Sequence, residues 1–294
     1  MNIDSWFVTG FTDGEGCFLI SLSKDKKQIT GWRVKYTFTI SSHKKDQALL
    51  EQIQSFFGGV GSINSKHGPQ SIQLRVESRK DLAVVISHLD KFPLLTKKYA
   101  DYELFKQAFM LILNKEHLTM EGLRKIVSIK ATMNRGLSEE LKAAFPKIIP
   151  IARPLVKNQK IQDSNWLAGF TSAEGCFMIK TINSSSNLKN VGVYLRFELT
   201  QHARDEYLIK SLIEYLGCGT VHKNKEAFTF QVTKFSDIRD KIIPFFAEYP
   251  INGTKLMDYL DWCKAAELIQ SKAHLTQDGL DEILKIKAGM NKGR

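Results

Sequence analysis

The chain is poor in the features that mark several large protein classes. Its 294 residues hold four cysteines, Cys17, Cys176, Cys218 and Cys263, with no CxxC pair. That excludes a disulfide framework and the usual zinc spacings, and leaves buried thiols in a reducing compartment. No apolar run approaches the roughly eighteen residues a membrane helix needs. The start, MNIDSWFVTGF, lacks a basic region ahead of an apolar core and is not arginine-rich, so it reads as neither a secretory signal nor a transit peptide. A protein of this kind working in an organelle is expected to be made there. HExxH, HNH-like, Walker and GxGxxG patterns are all missing, which removes the common zinc-protease, nucleotide and dinucleotide sites. Acids are also in short supply: 31 against 42 lysines and arginines, a net charge of +11 and a pI near 9.3. Such an excess attracts polyanions. The length suits two ordinary domains or one pseudo-symmetric double domain.

What the chain does have is a copy of itself. FVTGFTDGEGCF at 7–18 returns as LAGFTSAEGCF at 167–177, with Gly10, Phe11, Thr12, Glu15, Gly16, Cys17 and Phe18 reappearing 159 residues on. Each copy reads as a short helix with small residues on one side (Thr9 and Gly10; Ala168 and Gly169), which lets two helix backbones approach closely. Each helix is expected to stop at Gly16 or Gly175. Packed side by side, the two would bring Glu15 and Glu174 together at the negative ends of their dipoles, where a cation is needed; Mg²⁺, an oxygen-liganded ion that keeps waters, suits the place. Downstream, His43 and Asp46 recur as His202 and Asp205, Val76 and Asp81 as Val232 and Asp237, and the segment HLTMEGLRKIVSIKATMNRG (117–136) as HLTQDGLDEILKIKAGMNKG (274–293). The duplication spans nearly the whole chain. It divides into 1–136, a proline-bearing linker at 137–165 with a basic stretch at 157–160, and 166–294.

Within each repeat the periodicity predicts a motif helix, two strands, a helix, two strands and further helices. Phe18, Ile20 and Leu22 alternate with Leu19, Ser21 and Ser23, and Lys24, Lys26 and Lys27 fill the loop that follows. Val34, Tyr36, Phe38 and Ile40 form a buried strand face, opposite Arg33, Lys35, Thr37 and Thr39 on a face that carries no carboxylate. Helices are expected at 46–57, 98–114 and 121–134, with a turn at Gly68 and Pro69 and a capping box from Ser78 to Asp81. Short connections imply an antiparallel four-stranded sheet in each half. One sheet face packs on helices. The other, with Arg33, Lys35, Gln73 and Arg75 in one half and Lys180, Arg196, Thr229 and Gln231 in the other, is left for a partner, and two strands fit a DNA major groove. The aromatics Tyr36, Phe38 and Phe197 belong to the core face, and the repeated histidines to caps or other structural roles.

The paired segments at 8–16 and 167–175 resemble the twin motifs of single-chain LAGLIDADG homing endonucleases, whose signature acid falls on Glu15 and Glu174. The motif's earlier acid is Asp13 in one copy and Ser172 in the other, so Asp13 is given no metal role. The resemblance implies an α+β fold of two αββαββα repeats, each sheet forming half of a DNA-binding saddle. It also implies metal ligation by the carbonyls of Gly14 and Ala173 beside the two acids. Lys98 and Lys255, in PLLTKK and PINGTK, match a lysine that stabilises transition-state charge. Gln201, closing a strand at 194–201, matches a solvent-positioning glutamine; its counterpart Ser42 makes the two sites inequivalent.

The expectation is therefore a monomeric endonuclease that hydrolyses both strands of a long, non-palindromic duplex, leaving short 3′ overhangs. Mg²⁺ is the expected ion, with Ca²⁺ or Mn²⁺ able to occupy the site. Lys24 and Ser42 join the DNA-binding set. The family further implies an organelle-encoded protein of a mitochondrial group I intron. Two alternatives share the scaffold: an RNA maturase acting on intron RNA, and a catalytically silent DNA-binding regulator.

Overall fold

The computed structural model describes residues 3–65, 68, 70–156, 159–183 and 191–291. Pro69 of the expected turn and Lys157 of the basic stretch lie outside them. The first repeat runs α1 (Ser5–Glu15), β1 (Gly16–Lys24), β2 (Trp32–His43), α2 (Gln47–Phe56), β3 (Ser62–Asn64), β4 (Ser71–Val76), α3 (Arg79–Lys91), α4 (Lys98–Leu113) and α5 (Met120–Thr132). After α6 (Glu139–Ala144), the second repeat follows as α7 (Ser164–Glu174), β5 (Gly175–Asn183), β6 (Val191–His202), α8 (Glu206–Leu216), β7 (Thr220–Asn224) and β8 (Ala227–Val232). A helical stretch from α9 (Phe235–Asp237) passes through a π turn into α10 (Ile243–Glu248), ahead of α11 (Thr254–Gln270) and α12 (Gln277–Gly289). The αββαββα order is present in both halves. None of the described helices is long and apolar enough to cross a membrane.

The two sheets have the same antiparallel topology, β1-β2-β4-β3 and β5-β6-β8-β7. The matched registers Phe18 with Phe38 and Phe177 with Phe197 keep the apolar sides of paired strands on one face. In the first sheet Phe18 packs on Phe38 and also on Tyr102 and Phe105 of α4. Phe177 in the second contacts Phe197, Phe246, Tyr259 and Trp262. These rings are fully or almost fully buried, each contributing roughly 1.5–3 kcal/mol.

The chain forms two compact units, and their border is not the repeat border. One comprises Glu15–Gln159 with Ile3; the other is Lys160–Arg294 together with Asp4–Gly14. Helix α1 thus packs within the second unit, against its own copy α7. Both helices bury seven consecutive residues, Phe7 to Asp13 and Trp166 to Ser172, the pattern of a helix enclosed on all sides. Much of the segment between the repeats is also packed: Leu141 and Phe145 join Leu123 and Val127 of α5, with Leu22, Trp32 and Val34 beside them.

Several local expectations are met and several corrected. Ser78 caps α3 by accepting from Asp81 N at 3.0 Å. The Asp81 carboxylate does not complete a capping box there, because it accepts from Gly61 N instead. His43 and His202 are caps, each accepting through Nδ1 from the amide two residues on. Lys24 is no loop residue: β1 continues through it, paired with Trp32. The residues opposite the core face are less exposed than their polarity suggests, Thr37, Thr39 and Gln73 being buried.

Candidate active site

The site is assembled around the α1 and α7 contact. A Cβ on Gly10 would lie 2.0 Å from the Trp166 carbonyl oxygen, and one on Gly169 would lie 2.0 Å from that of Phe7. Since Gly169 and Trp166 are the copies of Gly10 and Phe7, the contact is reciprocal and each glycine is there for backbone approach. Farther along, a Cβ on Gly14 would meet Ala173 Cβ at 2.3 Å and Glu174 Cγ at 3.2 Å. Room exists for one methyl at this crossing, and Ala173 supplies it. Asp13 is buried and accepts from Trp166 Nε1 at 2.8 Å, so it serves as a bridge between the two helices. Ser172, its copy, donates to Ala168 O and accepts from Asn252 N.

The motif helices stop at Gly16 and Gly175 as expected, but without the left-handed turn that usually favours glycine at a helix end. Gly175 has φ −69° and ψ 156°, which is extended backbone, and Gly16 is not among the positive-φ glycines. The helix passes straight into a strand. Gly175 is instead required for space, since a Cβ there would sit 2.4 Å from Thr171 Cγ2. This abrupt junction leaves Glu174 as the last helical residue, half-buried, with Ala173 O at the helix terminus.

Lys255, in the first turn of α11, donates from Nζ to Ala173 O at 2.9 Å. An ammonium therefore rests on the carbonyl end of the motif helix, where the dipole favours positive charge. Among the described residues no group of three or more His, Cys, Asp and Glu side chains is arranged to hold a metal. The available donors are a carboxylate and a main-chain carbonyl at a helix end. That oxygen-only set, short of a full shell and open to water and phosphate oxygens, fits Mg²⁺ and does not fit a soft metal. In the other unit, Glu15 precedes β1 and Lys98 opens α4, its N–H donating to Thr96 Oγ1 at 3.2 Å. Cys17 and Cys176, beside the two acids, have thiols pushed up by burial, which keeps them protonated and poor nucleophiles.

The open sheet faces carry most of the polar residues expected on them, Glu77 included, and two further carboxylates, Asp25 and Glu198, join their arginines. Arg33 binds Asp25 at 2.8 Å and Arg75 binds Glu77 at 2.6 Å; Arg196 binds Glu198 at 2.9 Å and also donates to Tyr194 Oη. Gln73 Nε2 donates to Ser41 Oγ, and the hydroxyls of Thr200 and Thr229 share a hydrogen bond. Lys35 is exposed, and Lys180 and Gln231 are half-buried on the same faces. Three candidates fall elsewhere. Lys24, Ser42 and Gln201 share strand parity with the buried Ile20, Ile40 and Leu199, which puts them on the helix side. There Lys24 pairs with Glu140 and Ser42 donates to Asp46, while Gln201 lies opposite Phe228 near the strand end. Alternation counted outward from the buried strand residues carries that signal in the sequence.

A duplicated α+β chain with two buried, glycine-crossed helices, each closed by a glutamate, defines the class of two-motif LAGLIDADG proteins. The family model described as LAGLIDADG endonuclease matches residues 8–109 and 167–266, and the chain belongs to that family. It is 41% identical to the probable intron-encoded endonuclease 3 of Neurospora crassa over 96% of this chain and 54% of that protein. It is 38% identical to the probable intron-encoded endonuclease 2 of the same organism, over 96% of this chain and 64% of that one. The chain thus spans between about half and two thirds of these curated relatives. Among solved structures, it is similar to the homing endonuclease I-SmaMI bound to cleaved DNA, with 48% identity, a TM-score of 0.97 and coverage of 99% and 98% of the two chains. I-SmaMI has also been solved on uncleaved DNA in the presence of calcium ions, and as a variant with two lysines replaced by alanine.

Proposed function

We propose that this protein is a monomeric homing endonuclease that recognises a long, non-palindromic DNA duplex and hydrolyses both strands, leaving short 3′ overhangs. The observation that carries the reading is the crossing of α1 and α7. It sets Gly14, the residue before Glu15, against Ala173 and Glu174, with the Lys255 ammonium on the Ala173 carbonyl. Glu15 and Glu174, with the carbonyls of Gly14 and Ala173, would hold divalent metal, for which Mg²⁺ is our assignment and Ca²⁺ or Mn²⁺ the substitutes. The calcium ions present with I-SmaMI and its DNA support a divalent ion at such a site. When bound, the ion polarises the phosphate, lowers the pKa of the attacking water and neutralises the departing oxygen.

The protein's own groups do the rest. Lys98 and Lys255 place positive charge where it builds on the phosphate in the transition state. Arg33, Lys35, Gln73 and Arg75, and Lys180, Arg196, Thr229 and Gln231, offer donors and acceptors to the groove. The carboxylates already on Arg33, Arg75 and Arg196 hold those guanidinium groups in place, so each arginine meets a base edge oriented rather than free. The fungal intron-encoded relatives support an organelle-encoded, mitochondrial protein acting on an intron's insertion site.

The test is selection from a randomised duplex library in Mg²⁺. We expect one long asymmetric sequence to be recovered with both strands broken. Recovery of no cleaved duplex, together with tight binding of the host intron RNA, would overturn the proposal in favour of a maturase.

A further inference from the structure

We propose that Arg153 is a positioning residue for Lys98, making cleavage of one DNA strand depend on the segment that joins the repeats. The inference rests on the nuclease reading above. Arg153 belongs to neither repeat, yet its guanidinium spans the base of α4. Nη1 donates to Asp101 Oδ1 at 3.0 Å and to Thr132 O at 3.2 Å; Nη2 donates to Asp101 Oδ2 at 2.7 Å and to Lys97 O at 3.3 Å. This planar fork fills four acceptor directions at once, which a lysine cannot reproduce.

The surrounding strap acts on the same turn. Gln159, itself buried, donates to Leu95 O at 3.1 Å, and Lys97 Nζ donates to Val156 O at 3.4 Å. Arg153 and Gln159 therefore hold the carbonyls on both sides of buried Thr96, whose hydroxyl accepts from Lys98 N. One turn into α4, Asp101 also accepts from Asn134 N at 3.1 Å, and Asn134 Nδ2 donates to Phe18 O at 2.8 Å. Arg153 thus completes a chain of contacts from the lysine's turn to β1, the strand that follows Glu15 directly.

The second repeat keeps the inner part of this device. Asp258 accepts from Asn291 N at 2.9 Å, and Asn291 donates to Phe177 O at 3.1 Å. Lys255 has its ammonium on the motif helix. Arg153 binds Lys97 and Asp101 of the first repeat, so disturbance of Arg153 falls on the Lys98 half.

The experiment uses the full chain and a supercoiled plasmid bearing the duplex selected as its substrate. Arg153→Ala is expected to form linear product on the order of tenfold more slowly. Nicked circle should accumulate, with the nick on the same strand that a Lys98→Ala variant still cuts. Arg153→Lys should restore part of the rate, and it replaces Arg153→Ala if the latter does not fold. Backbone amides at 95–101 should exchange hydrogen faster in either variant while those at 252–258 keep their wild-type rate. Equal slowing of both strands, a wild-type rate, or unchanged exchange at 95–101 would overturn the inference. A wild-type chain that leaves the plasmid intact would overturn the nuclease reading first, and this inference with it.

Discussion

Adding one methyl group at Gly14 tests whether the helix crossing governs the chemistry. The new Cβ would stand 2.3 Å from Ala173 Cβ, whereas two carbons rest at about 3.5–4.0 Å. The helix ends must then part by roughly 1.5 Å, beside Glu174, one of the two acids proposed to hold metal. Misplacement on the order of 1 Å costs about a hundredfold in rate, while overpacking costs about 1–3 kcal/mol in stability. Gly14→Ala should therefore slow cleavage by roughly two orders of magnitude and leave a folded protein. Pairing it with Ala173→Gly returns the crossing to one methyl, on the opposite helix, and should recover most of the rate. Single-turnover cleavage of the selected duplex, with melting temperatures of all four proteins, gives the cycle. A wild-type rate in Gly14→Ala, or a double variant as slow as the single, would refute the reasoning.

Two further outcomes follow from the same geometry. Lys255→Met removes the ammonium from Ala173 O and should lower the cleavage rate by roughly 10²–10³ with little change in DNA affinity; gel-shift and cleavage assays run together would show an error if affinity fell while the rate held. His88, enclosed by Phe56, Phe57 and Phe92, has its pKa lowered by burial from 6.5 to about 4. The unfolded chain then binds the proton first, so this contribution is complete above about pH 6.5 and is lost as pH falls towards 4. Urea unfolding at pH 7.5 and pH 5 should show a loss of roughly 1–3 kcal/mol, absent in His88→Phe. An equal loss in that variant would assign the effect elsewhere.

The sequence disclosed more of the architecture than of the site. Strand alternation and the recurrence of Gly10, Glu15 and Phe18 were enough for the repeat order and both sheets, because period and burial are coupled wherever one face is covered. Helix ends and caps at Ser78, His43 and His202 were legible for the same local reason. The packing of α1 on α7 was legible in Gly10 and Gly169, each of which meets a carbonyl of the other helix; that this contact draws α1 into the second unit was not. Asp25 and Glu198 escaped because an arginine's partner is chosen by side-chain reach, which no periodic pattern records. Lys24, Ser42 and Gln201 lie at strand ends with the parity of the core face, where polar residues hide which face they occupy. Arg153 was passed over because a segment with prolines reads as a linker until its hydrogen bonds are seen.

Glu15 and Glu174 are each proposed to carry one strand's hydrolysis. Replacing each by glutamine, singly and together, removes the charge while keeping shape, and cleavage of the selected duplex in Mg²⁺ can be followed strand by strand with binding measured in parallel. Neither single variant should make a double-strand break, the double variant should leave both strands whole, and all three should bind the duplex nearly as well as the parent. A double variant that still breaks both strands would contradict that assignment.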